Sequence, residues 1–239
     1  MPDGFQRQQR YREQYRARRD GWVDAVTLFR DRVVHNLRRD VPALDLGCGH
    51  LVLHGDSAPP DVTVVGVEPD LAALRSNTLV THRVRAAGEA LPFADASFGL
   101  VASAWVLEHL DNPGLVFAEI ARVLRPGGSF VFLTPNAWNY NAWLIRAVPN
   151  RWHGLFTRRL YARREGDTYP VRYRANSPRS LPALLAAAGF SSVTLEYNGD
   201  PTYIAFNRPL FEGGVLLERL MDVPALHRSR VHIIGSATR

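Results

Sequence analysis

Residues 43–49 are Ala-Leu-Asp-Leu-Gly-Cys-Gly, and residues 64–68 are Val-Val-Gly-Val-Glu. The first segment is an apolar strand that runs into a Gly-X-Gly turn, and the second is an apolar strand that ends in a carboxylate. Glu68 follows Gly47 by 21 positions. Doubly wound α/β sheets hold nucleosides in this way, because glycine lets the backbone approach the ligand and the carboxylate accepts hydrogen bonds from ribose hydroxyls. The spacing therefore predicts a nucleoside site.

Size and composition indicate a globular protein. The 239 residues suffice for one α/β domain with insertions, and 46% of them are hydrophobic and 22% charged. No apolar run reaches the length of a membrane span, and the N-terminal residues lack the apolar core of a signal peptide. Cys48 is the only cysteine, so an internal disulfide is impossible. We expect a cytoplasmic protein.

The formal charge of +6 would suit a nucleic-acid partner. However, all 29 basic residues are arginines, and they are spread along the whole chain. Such a distribution indicates codon bias, and basic balance alone is weak support for nucleic-acid binding. We do not expect nucleic acid as a partner.

The apolar periodicity predicts strands that alternate with helices. Predicted strands cover residues 42–46, 62–67, 81–86, 100–103, 129–134, 192–197 and 231–235. Predicted helices cover residues 5–20, 21–39, a segment from Asp70, 112–124 and 177–188. The arginine-rich first twenty residues are expected to be prone to disorder, and the Arg-Pro-Gly-Gly sequence at 125–128 is expected to stop a helix.

This pattern divides the chain into an N-terminal helical segment, 1–40, and an α/β domain, 41–239, with insertions at 135–176 and 199–229. The 135–176 insertion is rich in aromatic residues and arginine. Its rings could pack over the sheet, form an acceptor pocket beside the nucleoside, or touch a membrane surface. The first two alternatives are compatible with each other.

The glycine turn argues against a dinucleotide. A pyrophosphate-binding turn needs a third glycine in Gly-X-Gly-X-X-Gly, and Val52 occupies that place. The helix after the turn is also cut short by Pro59 and Pro60.

Four later motifs suggest a particular family. Leu91-Pro92-Phe93 is followed by Glu108-His109-Leu110, then by Arg122-Val-Leu-Arg-Pro-Gly-Gly128, then by Thr134-Pro135-Asn136. In this order the motifs closely resemble those of class I S-adenosylmethionine-dependent methyltransferases. The resemblance is strong over residues 40–136 and weak over 177–197 and 231–236.

The resemblance implies a Rossmann-like α/β fold with a mostly parallel seven-stranded sheet, an antiparallel last strand and helices on both faces. It implies S-adenosyl-L-methionine as cofactor and S-adenosyl-L-homocysteine as product. Glu68 would bind the ribose, the 87–89 segment would border the adenine, and Ser103 with Trp105 would lie near the sulfonium. The residues expected to bind the cofactor are Asp45, Gly47, Cys48, Gly49, Glu68, Pro69, Ala87, Gly88, Glu89, Ser103 and Trp105.

Three positions depart from the family pattern. Leu51 stands where a further glycine is usual, Ala87 where an acidic residue commonly holds the adenine amino group, and Gly99 where an aspartate follows Ser-Phe. Each missing hydrogen bond would cost about 1 kcal/mol of binding free energy.

The expected acceptor is a small molecule, by resemblance a hydroxyl (or amine) of a sugar, glycan or natural product. His109 is the first candidate for a general base, since imidazole titrates in the useful range and Glu108 is adjacent. Arg172 and Arg179 could also hold an acidic acceptor. The candidate acceptor-binding residues are Asn136, Tyr140, Tyr169, Tyr173 and Arg174.

No metal is expected, and the oligomeric state stays open. The alternative function is a non-catalytic binding or partner subunit with the same fold.

Overall fold

The computed structural model describes residues 2–49, 61–140 and 170–239. Its contacts group into two compact units, which are described separately. The first consists of Met1–Ala25, Asn136–Pro170 and Tyr197–His232, and the second of Val26–Pro135, Val171–Glu196 and Ile233–Arg239. The N-terminal helix therefore groups with the predicted insertion at 199–229.

A seven-stranded sheet has the order β3-β2-β1-β4-β5-β7-β6. The strands are β1 Ala43–Leu46, β2 Val64–Val67, β3 His82–Val84, β4 Phe98–Ala104, β5 Leu124–Pro135, β6 Ser191–Asn198 and β7 His232–Thr238. Strands β1 to β5 pair in parallel, and every residue of β1 and β2 is buried. These two strands are uniformly apolar apart from Asp45 and Gly66 because a parallel sheet is covered on both faces.

The last strands run antiparallel, as predicted. Arg239 donates from its backbone N to the carbonyl of Gly128 at 3.0 Å, whereas Asn136 donates to Val231 at 2.8 Å. Residue numbers along β7 therefore decrease as those along β5 increase, which defines an antiparallel pair. The family-based prediction of a mostly parallel α/β sheet is confirmed.

Six α-helices lie in the described ranges; five are close to predicted positions, and the sixth lies in the predicted insertion at 199–229. They are α1 Pro2–Arg18, α2 Ala25–Asn36, α3 Leu71–Ser76, α4 Pro113–Val123, α5 Ser180–Ala187 and α6 Arg208–Leu220. Helix α5 starts three residues later than predicted, because Ser177 accepts the backbone N–H of Ser180 and so precedes the helix. It ends at Ala187, and Gly189, the residue after the C-cap Ala188, has a φ of +88°, which suits a residue without a Cβ.

The Arg-Pro-Gly-Gly sequence corrects one prediction. It was expected to separate α4 from a strand beginning at Ser129, but β5 begins at Leu124, directly after the helix. Leu124 pairs with Phe98 and Ser129 with Leu100, so the four intervening residues bulge out of the ladder. Gly127 makes this possible with a φ of +75°.

Helix α1 corrects another prediction, because its arginine-rich sequence is ordered. Tyr11 stacks on Phe211 with ring centroids 4.5 Å apart, and Tyr15 is buried. Four arginines of this region form ion pairs with acids of the same unit: Arg12 with Asp200, Arg16 with Asp24, Arg18 with Glu212 and Arg19 with Asp222. Disorder was expected because composition shows the charges but not their partners.

Candidate active site

The Gly-X-Gly turn lies where the sheet changes direction. Strand β1 has β2 on one side and β4 on the other, and in doubly wound sheets ligands bind at the carboxyl ends of strands at this switch point. Gly47 has φ +74° and Gly49 has φ +43°. A Cβ added to Gly47 would overlap the side chain of Val106, which follows β4. The turn therefore brings the ends of β1 and β4 together in a way that requires glycine.

Glu68 lies against this turn and is buried. Its carboxylate accepts the backbone N–H of Gly49 at 3.2 Å and that of Asp70 at 3.0 Å. Asp70 itself caps α3 by accepting the N–H groups of Ala72 and Ala73, so Glu68 is not the helix cap. Two backbone bonds leave a carboxylate further acceptor capacity for a ligand hydroxyl.

The turn lies in a negative electrostatic field. Burial first, and then the charges of Asp45 and Glu68, raise the pKa of the Cys48 thiol to about 12. The thiol is therefore neutral, and it packs beneath the turn in a cluster with Val64, Leu74 and Val80. Only the backbone of Cys48 can therefore face a ligand. The carboxylates of Asp45 and Glu68 favour a ligand that carries positive charge.

The end of β4 forms the other wall. The buried hydroxyl of Ser103 donates to the carbonyl of Leu46 at 3.1 Å, so this side chain ties β4 to β1. Trp105 has φ +61°, a left-handed conformation that is costly for a bulky residue. Its backbone N donates to Leu133 at 2.9 Å, which holds the residue in this conformation. Such backbone strain is concentrated at functional sites.

The segment that borders the predicted adenine position lies after β3. Gly88 is close to the core, since an added Cβ would be 3.3 Å from Val116. Ala87 is exposed and Glu89 is half-buried. Pro69, after β2, is exposed, and its carbonyl accepts from Arg85 at 3.1 Å.

Helix α4 clamps the Leu-Pro-Phe loop through one arginine. The guanidinium of Arg122 binds both carboxylate oxygens of Glu119, at 2.7 and 2.9 Å. It also donates to the carbonyls of Leu91 at 3.0 Å and Phe93 at 2.7 Å, and to Asp95 at 2.8 Å. Glu119 in turn accepts the N–H of Leu91 at 2.8 Å. All five donor hydrogens of the guanidinium are thus used.

These hydrogen bonds keep both groups charged. The bond to Glu119 raises the pKa of Arg122, and the bond from Arg122 lowers the pKa of Glu119. No role was predicted for either residue from the sequence, where Arg122 appeared only as part of a motif. Their spacing of three residues on a predicted helix showed that they could pair, but the loop they hold is 30 residues distant along the chain.

The candidate base lies in a short 3-10 turn, Leu107–His109, that follows β4. The Nε2 atom of His109 is 3.8 Å from Oε1 of Glu108, which makes an ion pair when the imidazole is protonated. Glu108 is buried, and its other oxygen accepts the hydroxyl of Thr134 at 3.1 Å. Glu108 can therefore stabilise an imidazolium that forms after proton transfer.

Two of the predicted acceptor-binding residues lie in the same unit as the turn. Tyr173 is exposed, has φ +54°, and donates from its backbone N to the carbonyl of Glu108 at 3.1 Å. Arg174 donates to the carbonyl of Asp111 at 2.6 Å, while Arg172 pairs with the Asp111 carboxylate at 2.9 Å. Both arginines are engaged within the protein, which weakens their predicted role as acidic-substrate ligands.

The other predicted acceptor-binding residues belong to the first unit or are not described. The amide of Asn136 donates to the carbonyls of Arg228 and Arg230, both at 2.8 Å, and its oxygen accepts from Trp138 at 2.9 Å. Tyr140 is buried and donates to Glu218 at 2.6 Å. These contacts engage both side chains within the protein, and their role in acceptor binding stays a prediction. Tyr169 lies outside the described residues.

The buried phenol of Tyr140 is also unsuited to act as a general base. Burial, followed by the charge of Glu218, raises its pKa well above the ordinary value of 10. A phenol that is buried and that holds its proton so firmly is a poor base near neutral pH.

The structure explains one of the three departures from the family pattern. Gly99 lies inside β4, and any Cβ there would overlap the side chain of Val41. The space that an aspartate would need is therefore filled by protein. Ala87 is exposed, and Leu51 lies outside the described residues.

The described ranges contain neither a candidate metal site nor a helix that could span a membrane. No group of three or more His, Cys, Asp or Glu side chains there has the arrangement of a metal site. Among the same residues no helix is long and apolar enough to cross a membrane.

Sequence comparisons point in one direction. A family model described as a methyltransferase domain matches residues 44–132. An uncharacterized methyltransferase of Mycolicibacterium vanbaalenii is 35% identical over 136 residues, which cover 54% of this chain and 50% of that protein. The malonyl-[acyl-carrier protein] O-methyltransferase of Pseudescherichia vulneris is 33% identical over 123 residues, 48% of each chain. The chain thus spans about half the length of these curated relatives.

Solved structures share the fold at low identity. The geranyl diphosphate C-methyltransferase of Streptomyces coelicolor has a TM-score of 0.58 at 16% identity, with 90% of this chain and 78% of that chain covered. The [4+2]-cyclase SpnF has a TM-score of 0.58 at 19% identity, with 92% and 84% covered. The domain match over residues 44–132 runs from β1 into β5, and these solved structures share the fold of the chain.

Proposed function

We propose that this protein transfers a methyl group from S-adenosyl-L-methionine to a small-molecule acceptor. The observation that carries the proposal is the pair of buried carboxylates beside the Gly-X-Gly turn, at the ends of β1 and β2. Asp45 and Glu68 are both buried there, and both raise the pKa of Cys48. A pyrophosphate would be repelled by this field, whereas a sulfonium with an α-ammonium group is attracted.

The residues present fit the cofactor. Glu68 retains acceptor capacity for the ribose hydroxyls, and Gly47 and Gly49 leave the turn free of side chains that would block close approach. Gly88 and its neighbours would border the adenine. When bound, the cofactor supplies a methyl group that its sulfonium already activates for in-line displacement.

The protein's own task is then alignment, exclusion of water and proton removal. Trp105 and Val106, at the end of β4, shape the wall of the crevice. His109 would accept the proton of an acceptor hydroxyl or ammonium at Nε2, and Glu108, 3.8 Å away, would stabilise the imidazolium. The proton then passes to solvent, since the His109 side chain is partly exposed.

We propose an oxygen or nitrogen acceptor on a sugar, glycan or natural product, because those nucleophiles carry a proton that a base must remove. The matched relative from Pseudescherichia vulneris is named as an O-methyltransferase, which is consistent with an oxygen acceptor. Within the described part of the site, Tyr173 is the remaining candidate for contact with the acceptor, since it is exposed beside Glu108.

The second candidate is that the protein has the methyltransferase fold but does not transfer a methyl group. The structural neighbour named as a [4+2]-cyclase shows that this fold occurs in a protein named for a different reaction. The departures at Ala87 and Gly99 would be consistent with such a change.

Calorimetric titration separates the two proposals. The enzyme should bind S-adenosyl-L-methionine and its demethylated product with micromolar affinity and should not bind NAD. The variant Glu68→Gln should weaken binding by about 1–3 kcal/mol, because it removes the charge and one acceptor from the ribose contact. Absence of binding by the unaltered protein would support a non-catalytic binding or partner subunit instead.

A general base is tested by His109→Gln in a turnover assay against candidate acceptors. Loss of the base should lower kcat by about 10²–10⁴-fold while the cofactor Kd stays unchanged. An unchanged kcat would remove His109 from this role.

A further inference from the structure

Helix α6 is apolar on two faces, and only one of them is buried in its own unit. The buried face packs through Phe211, Val215 and the C-cap residue Met221. The other face exposes a stripe that we call the α6 stripe. It consists of Leu210, Gly213, Leu216 and Leu220 on the helix, with Val223 just beyond the end of the helix. Four large apolar side chains of this stripe are 39–60% exposed. A helix in a globular protein normally turns polar residues to solvent, so this stripe lacks the covering that its composition calls for.

The charges beside the stripe are positive. Arg208 and Arg219 lie three turns apart along one edge and are exposed. Among the described residues, neither guanidinium takes part in an ion pair or hydrogen bond. The acids of the helix offset this charge only in part. Arg18 first, and then also Arg208 and Arg219, lower the pKa of Glu212, but its ion pair is with Arg18, and Glu218 is buried against Tyr140. The face as a whole is apolar with a basic edge.

A second copy of the chain fits this face poorly. The stripe is about 20 Å long and about 10 Å wide, hence about 200 Å², whereas stable interfaces bury about 800 Å² on each partner. An antiparallel pair of α6 helices would also place Arg219 of one copy beside Arg208 of the other. Area and charge therefore both argue against a dimer through this helix.

We propose that the α6 stripe is a peripheral docking surface for an anionic lipid membrane. An amphipathic helix that lies in the interface plane buries its leucines at the boundary of headgroups and acyl chains, while arginines at its edge contact lipid phosphates. Leu210, Leu216, Leu220 and Val223 supply the first element, and Arg208 with Arg219 supply the second. Membrane docking by this helix is independent of the proposed methyl transfer and differs from the membrane contact considered for residues 135–176.

Vesicle cosedimentation of the full chain tests this docking surface. The protein should bind vesicles of phosphatidylcholine with phosphatidylglycerol and bind pure phosphatidylcholine vesicles more weakly. Leu216→Glu should reduce partitioning about tenfold or more, because it places a charge in the apolar boundary. Leu115→Glu is the matched control, since Leu115 is 58% exposed on α4 and Leu216 is 60% exposed on α6.

The arginine edge is tested separately. Arg208→Gln and Arg219→Gln should each lower binding to anionic vesicles by about fivefold and leave binding to neutral vesicles unchanged. All of the substituted side chains are exposed, so far-UV circular dichroism should show that all variants are folded. The proposal is overturned if the unaltered protein does not bind anionic vesicles, if Leu115→Glu reduces binding as much as Leu216→Glu, or if light scattering shows a dimer that Leu216→Glu dissociates.

Discussion

Single residues determine whether the crevice can exist. Gly47 has a positive φ, and its Cβ position is occupied by Val106. Gly47→Ala should therefore cost about 1–2 kcal/mol of stability for the left-handed backbone alone, and more for the overlap. It should also weaken cofactor binding by at least tenfold, measured by calorimetry after urea denaturation has established the loss of stability.

A second glycine supplies the control for that measurement. Gly114, near the start of α4, has no heavy atom within 4 Å of its Cβ position. Gly114→Ala should therefore be neutral or stabilise the protein by about 0.5–1 kcal/mol, because alanine restricts the unfolded chain. If both substitutions weakened cofactor binding equally, the steric account of the turn would be wrong.

At the scale of elements, the link between α4 and the Leu-Pro-Phe loop is the most specific feature. Arg122→Lys should lower the free energy of unfolding by about 2 kcal/mol, since lysine keeps the charge but cannot make five directed hydrogen bonds. It should also weaken cofactor binding, because the 87–93 loop would lose two of its backbone anchors. Arg125→Lys, which alters a weaker contact to Asp40 at 3.4 Å, is the control and should change neither quantity measurably.

Elements were also the scale at which sequence reasoning worked best. The apolar segments at 42–46 and 62–67 predicted β1 and β2 within two residues, because buried parallel strands need continuous apolar runs. The bulge at 125–128 was not predictable, since Pro and Gly signal a break but not whether the strand pairing continues around it. The clamp of Arg122 was missed for a similar reason, because it depends on a contact between distant segments.

At the scale of the whole molecule, acid stability should depend on His232. Complete burial lowers its pKa from 6.5 to about 4, so the folded state favours the neutral imidazole. Its contribution to stability is complete above pH 6.5 and is lost as the pH falls towards 4, by about 3 kcal/mol in total. His232→Gln should flatten the fall in urea-unfolding free energy over that range.

A neighbouring substitution separates burial from hydrogen bonding in that effect. The hydroxyl of Tyr203 is 2.9 Å from Nε2 of His232. Tyr203→Phe removes this contact but leaves the imidazole buried, and burial is the main cause of the lowered pKa. The variant should keep the acid-dependent loss of stability. A flat profile would show that the hydrogen bond, and not burial, controls the titration.

At this scale the sequence was more informative about the fold class and the cofactor than about the acceptor-binding residues, and the difference has a physical reason. Fold class and cofactor family depended on local motifs that lie within residues 43–136, and these were read directly. The acceptor residues depended on long-range packing, and Asn136 and Tyr140 proved to be tied to protein groups. Side-chain chemistry shows what a residue can bind, but only the fold shows whether that capacity is already used.

The packing of Val41 against Gly99 has an evolutionary consequence. An aspartate cannot enter position 99 while Val41 stands over it, because even the first side-chain carbon would collide. A chain that acquired an aspartate at position 99 would first need a smaller residue at position 41 and would have to tolerate the resulting cavity. The order in which the two substitutions can occur is therefore constrained.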